Sequence, residues 1–325
     1  MNIIKVKVED NNSRLDRFLR RHVGEINQSL LEKYLRQKFI LLDDKKAKAS
    51  QRVQLNQVIS YSSSIFFNKN KTEPTFSNQE KKIYENLYSK IIVKENKNFI
   101  AINKPNDIAV QGGTNQRLHI DNFLRVNFEK SEIIPKLVHR LDKETSGLLI
   151  IAKDSVNARK ISQFFRNGKI LKIYYALVSP SPLNDKGIIK TNIGKRKSFT
   201  ENKMFVSSDI GKRSITKYIV IDKIDKEMAL VALYPITGRT HQLRLHMHHI
   251  GSPIIGDKKY FKSNTNDLQN DKDKFLKLHA AIIKIPDENL LKADMPKHFK
   301  NSLEYYGLNL KKDEYVYNLF REDKN

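Results

Sequence analysis

The chain has 325 residues, 60 Lys+Arg against 36 Asp+Glu for a formal net charge of +24, and 39% hydrophobic residues. That length accommodates one large domain with a smaller one, and the charge excess points to a polyanion, nucleic acid above all. The sequence has no cysteine, which excludes disulfides, thiol catalysis and Cys-ligated zinc or iron–sulfur sites, and no run of about 18 apolar residues that could span a membrane. Lys outnumbers Arg 44 to 16, so scattered lysines chiefly mark solvated surface and the arginines are the more informative cations. The N-terminus MNIIKVKVED carries acids early and lacks an apolar stretch, so no signal peptide is expected.

Residues 1–62 read as a compact module. Ser13 is placed as the N-cap of a helix that carries Leu15, Phe18 and Leu19 at i, i+3, i+4 spacing. Arg14, Arg17, Arg20 and Arg21 fall largely off that apolar stripe. A second helix is predicted to open on the capping box Ser29-Leu30-Leu31-Glu32, with Leu31, Tyr34 and Leu35 inward and Lys33 and Arg36 outward. Short strands are expected at Phe39–Leu42 and Val53–Ile59, with a polar turn at Asp43–Lys46 between them. Two basic helices on a small hairpin sheet suit a phosphate backbone, and Arg14, Arg17, Arg21, Lys33 and Arg36 are the candidate RNA contacts of this module. The run Ser13-Arg14-Leu15-Asp16-Arg17-Phe18-Leu19 and the helix ending Arg36-Gln37-Lys38 resemble the small alpha-L RNA-binding domain of ribosomal small-subunit proteins. The chain departs from that pattern at Lys38 (usually Gly), at Asp43-Asp44 (usually Asn-Gly) and at Ala49 (usually Pro), which weakens the expected turn chemistry.

Residues 63–90 mix Ser, Asn, Lys and one Pro without sustained periodicity and read as a linker. From residue 91 to 325 strand-like runs take over, at Ile91–Val93, Phe99–Ile102, Leu148–Ala152, Tyr174–Val178, Ile215–Ile221 and Met228–Leu233. A helix is predicted over 155–167 with Gly168 as its C-cap, and another near Phe299–Tyr306.

There is no phosphate-binding Gly-x4-Gly-Lys-Ser/Thr loop, no GxGxxG unit, no HExxH and no G-x-S-x-G elbow. The histidine cluster His241-Gln-Leu-Arg-Leu-His246-Met-His248-His249 contains no acid, and no metal site is expected of it. The most informative segment runs from Leu137 to Lys153, LVHRLDKETSGLLIIAK. It places one short carboxylate, Asp142, between cations, then a Thr-Ser-Gly turn, then a strand apolar on both faces. Read alone, such an aspartate is more often a turn former than a nucleophile.

That run resembles the catalytic motif of the RluA-type family of RNA pseudouridine synthases. The surrounding motifs match in order over residues 91–281: Asn103-Lys104-Pro105 with Val110-Gln111-Gly112-Gly113, then Lys172-Ile173-Tyr174-Tyr175-Ala176-Leu177-Val178, then Gly238-Arg239-Thr240-His241-Gln242, then Gly251-Ser252-Pro253-Ile254-Ile255-Gly256-Asp257 and Leu278-His279-Ala280. Within the family the sequence is most similar to the C type of synthases acting on large-subunit ribosomal RNA, with the D type next.

The resemblance implies an α+β fold: the N-terminal alpha-L domain, then a catalytic domain on a mixed, mainly antiparallel sheet. It implies an isomerase with Asp142 as the catalytic carboxylate, Arg244 pairing with that aspartate, and Tyr174 stacking on the uracil and assisting proton removal. Tyr175, on the alternate face, belongs to the core. Arg140 and Arg239 are implied RNA contacts, while His139 and His241 shape loops rather than transfer protons. No metal or cofactor is implied. The expected partner is RNA, foremost large-subunit ribosomal RNA or its assembly intermediate, met by a monomeric cytoplasmic enzyme. The alternatives are the same chemistry on tRNA or other rRNA sites, and a non-catalytic RNA-binding assembly factor.

Overall fold

The computed structural model describes residues 1–65, 76–112, 118–197, 202–207, 209–260 and 274–322. The chain divides into two compact units, Met1–Ser77 and Asn78–Asn325. Gly113 of the Val-Gln-Gly-Gly motif, and residues 66–75 of the stretch read as a linker, lie outside the described residues.

The first unit is a three-stranded antiparallel sheet, β1 (Asn2–Lys5), β2 (Ile40–Leu42) and β3 (Val58–Tyr61), in the order β1-β3-β2. Helices α1 (Leu15–His22) and α2 (Gln28–Arg36) close it over a core that includes Leu15, Phe18, Leu19, Leu31, Leu35, Ile40 and Ile59. Three local expectations are corrected. Arg14, not Ser13, is the N-cap of α1, and the Ser13 hydroxyl instead donates to the Asp10 carbonyl at 2.6 Å. Asn27 caps α2 by accepting from the Ser29 amide at 2.9 Å, which draws Ser29 into the first turn and displaces the expected capping box. The strand placed at Val53–Ile59 forms only at its end, because Val53 turns to donate to the Ser13 carbonyl and Asn56 takes a left-handed backbone. β1 is an exposed edge strand without alternation, so its residues carry no strand pattern.

The hairpin turn keeps its geometry without glycine. Asp43 and Asp44 both have positive φ, +48° and +57°, while Leu42 and Lys45 exchange backbone hydrogen bonds at 3.0 Å. This is the arrangement of a two-residue turn with the twist that antiparallel strands favour. The Asp43 carboxylate accepts from the Val58 amide at 2.8 Å and from Gln57 Nε2 at 2.7 Å, which offsets the strain of the left-handed residue. Lys38 likewise takes φ +63° after α2.

The second unit begins inside the stretch read as a linker: Asn78–Ile91 forms α3, which packs on α4 (Ile120–Asn127). Its sheet comprises β4 (Ile92–Glu95), β5 (Phe99–Lys104), β7 (Ser146–Ala152), β8 (Leu171–Val178), β9 (Lys186–Lys197), β10 (Asn202–Ser207), β11 (Lys212–Ile224), β12 (Met228–Pro235) and β13 (Leu278–Lys284). The short strands β6 (Lys136–Leu137) and β14 (Leu291–Lys292) pair at its side. The order is β10-β9-β11-β12-β8-β13-β7-β5-β4, antiparallel throughout except where β13 runs parallel to β7. The sheet is thus mixed and mostly antiparallel, and the unit is α+β.

Strand alternation builds two cores. On one face Ala176, Val178, Val231 and Leu233 pack under α6 (Gln242–His249) with Leu243 and Met247. On the other, Tyr175, Leu230, Ala232 and Ile282 pack against Phe299 and Leu303 of α7 (Lys297–Tyr306) and Val316 and Phe320 of α8 (Asp313–Glu322). Tyr175 is therefore core, as its place in the alternation predicts, and its hydroxyl donates to Asp313 at 2.8 Å. α5 (Ser155–Arg166) forms where the sequence placed it, with Asp154 accepting from the Asn157 amide and Gly168 at φ +65° beyond its end.

Gly147 sits at the parallel seam. Its φ is +109°, and an added Cβ would lie 2.2 Å from the Ala280 carbonyl oxygen. Neither the backbone nor the space admits a side chain. Gly147→Ala is expected to lower stability by about 3 kcal/mol or more, combining backbone strain with overpacking. Gly168→Ala, with nothing within 4 Å of its added Cβ, should cost only about 1–2 kcal/mol. Urea midpoints of the two variants measure the difference.

Candidate active site

The loop that enters β7 carries Asp142. Its backbone is pinned from two sides. The Asp142 carbonyl accepts from the Thr145 amide at 3.2 Å, closing the turn before the strand. Beneath it, the wholly buried Lys104 at the end of β5 donates from Nζ to the carbonyls of Pro105 (2.7 Å), Ile108 (2.8 Å) and Lys143 (3.1 Å). Burial pulls the Lys104 ammonium down to about 7, with Asp142 opposing that shift. His139 fixes the upstream end: its Nε2 accepts from the Ile150 amide at 2.8 Å and its ring lies 4.4 Å from that of Phe165. Burial pushes His139 down to about 3, so the ring is neutral and serves as a loop-shaping acceptor.

Asp142, Tyr174, Arg140, Arg239 and Arg244 line one cavity of about 530 Å³. The five cavity-lining side chains singled out from the sequence thus come together, although they come from three separate stretches of chain. The cavity size suits a small-molecule-sized group such as a nucleoside. Tyr174 shares the apolar face of α6, and burial, reinforced by the negative charge of Asp142, raises its phenol well above the usual value. It stays a neutral phenol. Lys172, two residues earlier on the same face of β8, is pulled down to about 8 by burial.

The loop 236–241 is held by Gln242. Its Oε1 accepts from the Thr237 hydroxyl (2.7 Å) and the Arg239 amide (3.0 Å), while its Nε2 donates to the Ile215 carbonyl and Thr216 Oγ1, both at 3.0 Å. His246 uses both ring nitrogens on hydroxyls, those of Thr191, Ser214 and Thr216, at 2.8–3.0 Å. Arg14, Arg17, Arg21, Lys33 and Arg36 belong to the first unit. There Arg14 grips Asp16 through two nitrogens, and Arg21 and His22 both pair with the buried Asp10.

Arg244 differs from expectation. Its Nε and Nη2 form a fork onto Asp257 at 2.8 and 2.6 Å, and Nη1 donates to Glu144 at 3.3 Å. Among the described residues its ion pairs are with these two acids, and Asp142 acts on it only through the longer-range field. The fork leaves one nitrogen pointing towards the Asp142 loop, and Glu144 takes it. Asp257 lies inside a motif read from the sequence, but nothing local connects it to Arg244, thirteen residues earlier.

The side chains of Arg244 and Asp257 are 3% and 2% exposed. Burial opposes the charged form of Asp257, yet Arg244 and the amides of Lys259 and Tyr260 outweigh it and hold the carboxyl below its ordinary value. A depressed folded value means stability that is present above the unfolded value of about 3.9 and lost as pH falls through the folded one. Asp257→Ala, which strands a buried guanidinium, is expected to cost about 3–5 kcal/mol at pH 7. The gap to the parent protein should shrink as the pH drops below about 4. Urea unfolding of both proteins at several pH values checks this.

A family model described as RNA pseudouridylate synthase matches residues 98–249. The ribosomal large subunit pseudouridine synthase C of Rickettsia typhi is 36% identical over 299 residues, covering 89% of this chain and 96% of that protein. Its counterpart in Rickettsia bellii is 38% identical over 296 residues, 88% of this chain and 96% of that one. The solved structure of Human RNA Pseudouridylate Synthase Domain Containing 4 is 28% identical, with a TM-score of 0.61 over 72% of this chain and 99% of that one. The chain therefore belongs to the family of RNA pseudouridylate synthases, isomerases that turn uridine into pseudouridine.

Proposed function

We propose that this chain isomerises uridines in large-subunit ribosomal RNA, with Asp142 as the catalytic carboxylate. The observation that carries the reading is the cavity itself: a half-buried carboxylate on a clamped loop, in one cavity with a phenol and three guanidiniums. The relatives named as large-subunit synthases support the choice of RNA. The reaction breaks the bond between ribose C1′ and uracil N1, turns the freed base, and joins C5 to C1′. The C5 proton is lost and N1 gains one, so the product is an isomer and no electron acceptor is needed.

Each side chain has a task in that sequence. Asp142 acts as nucleophile or base at the ribose. Tyr174, neutral because burial and Asp142 raise its phenol, offers a flat face for the turning uracil rather than a base for its proton. Arg140 is exposed at the rim and suits the gap left in the RNA when the uridine leaves its stack, a move that costs a few kcal/mol. Arg239, also exposed, suits a phosphate. The first unit is read as an alpha-L RNA-binding domain, a reading supported by its basic helix α1 and by the left-handed geometry retained at Lys38 and at Asp43-Asp44.

Asp142→Asn and Asp142→Ala are expected to abolish pseudouridine formation while leaving RNA affinity within about twofold. Counting pseudouridines in purified ribosomal RNA and in tRNA treated with each protein decides it. Full activity in either variant sinks the assignment of Asp142. Modification of tRNA alone by the parent protein sinks the choice of ribosomal RNA.

A further inference from the structure

His241 opens α6 in a left-handed backbone conformation, φ +54°, which a non-glycine residue adopts only when its surroundings hold it there. Its ring has polar neighbours on both sides. Nδ1 lies 2.5 Å from the Tyr260 hydroxyl, and Nε2 faces Asp142 Oδ1 at 3.9 Å. Both acidic and basic side chains surround the ring, but burial dominates and holds His241 below its ordinary value, so the imidazole is neutral.

A neutral imidazole carries one proton, and its neighbours decide where. Burial raises the Tyr260 phenol to about 12, so that hydroxyl keeps its hydrogen, and the Met204 backbone amide hydrogen-bonds to the phenol oxygen. An oxygen already accepting from Met204 is best placed to donate to Nδ1. The imidazole proton then resides on Nε2, directed at the Asp142 carboxylate. The opposite tautomer would aim a lone pair at a carboxylate oxygen and is disfavoured. Tyr260 is itself held in place, its ring 5.4 Å from the Arg244 guanidinium and its amide bonded to Asp257 at 3.1 Å.

We propose that His241 is a positioning residue for the isomerisation: Tyr260 sets its tautomer, and its Nε2–H orients the Asp142 carboxylate towards the ribose. The separation of 3.9 Å shortens to hydrogen-bond length when the uridine is seated, as catalytic contacts commonly do. This rests on Asp142 being the reacting carboxylate.

Amide replacements separate the two ring nitrogens. His241→Gln places an N–H near the position of Nε2, and His241→Asn keeps only the position of Nδ1. Asparagine also tolerates a left-handed backbone better than glutamine does, so a deficit in the Asn variant is not a folding defect. In single-turnover pseudouridine formation the Gln variant should retain most of the parent kcat. The Asn variant should lose about 10- to 100-fold in kcat, the range for a hydrogen bond to a charged group, with KM within about twofold. Tyr260→Phe, which keeps the ring beside Arg244, should lower kcat in the parent and leave the Gln variant unchanged, since an amide has no tautomer to set. Equal losses in the Gln and Asn variants, parent-like kcat in the Asn variant, or a further loss from Tyr260→Phe in the Gln background would each overturn the proposal. Pseudouridine formation by the parent on the same RNA, measured first, tests the proposed function separately from these ratios.

Discussion

The buried pair between Arg244 and Asp257 is the constraint around which the catalytic unit is organised. A guanidinium 3% exposed is tolerable only if every N–H direction meets an acceptor or an aromatic face. Asp257 takes two nitrogens, Glu144 takes a third, and the Tyr260 ring covers one side. Each of those partners is tied to a segment that lines or borders the cavity. Glu144 is in the Asp142 loop, Asp257 holds the amides that start the Lys259–Tyr260 turn, and Tyr260 reaches His241. Satisfying one buried cation thus sets the relative placement of three chain segments, around Glu144, Arg244 and Asp257. Such a pair is weak evidence for stability, but it is exacting about geometry.

The Asp142 loop meets the same requirement from below. Among the described residues no carboxylate lies within hydrogen-bond reach of Lys104, which instead gathers three carbonyls, one of them from Lys143. Its lowered ammonium value reflects that choice, since carbonyl dipoles compensate burial less completely than a charge would. Above, Gly147 lets β7 approach β13 closely enough for parallel pairing at His279 and Ala280. A side chain there would push the strand, and the loop in front of it, away from β8 and Tyr174.

Much of this was legible in the sequence because it lies in short-range patterns. The strands β7 and β12 are buried along their whole length and read as unbroken apolar runs. α5 carries its cap, its stripe and its terminal glycine in order. The long motifs around Asp142, Tyr174 and Arg244 named the residues that line the cavity. What stayed hidden depends on contacts without a local signature. Helix α3 buries little beyond Tyr84 and Ile91, so its sequence lacks a strong stripe and reads as linker. The partner of Arg244 is chosen by three-dimensional proximity, and family resemblance directed it to Asp142 rather than to Asp257. The turn at Asp43-Asp44 looked weakened because glycine was missing, yet a carboxylate bonded to the Val58 amide supplies what glycine would have made free.

Strand β8 shows how one element serves stability and function at once. Its alternation sends Tyr174 to the α6 face and the cavity, and Tyr175 to the opposite core. Tyr175 is then anchored through its hydroxyl to Asp313 at the start of α8. The C-terminal helix therefore grips the strand directly behind the cavity-lining phenol. Burial raises the Asp313 carboxyl, with Tyr175 and Lys292 opposing the shift. A one-residue slip of β8 would exchange the two tyrosines, placing an aliphatic-packed phenol in the cavity and the cavity phenol against α7 and α8. The Tyr175–Asp313 bond opposes that slip from the side away from the cavity, so the register of the cavity face is held by a contact made outside it.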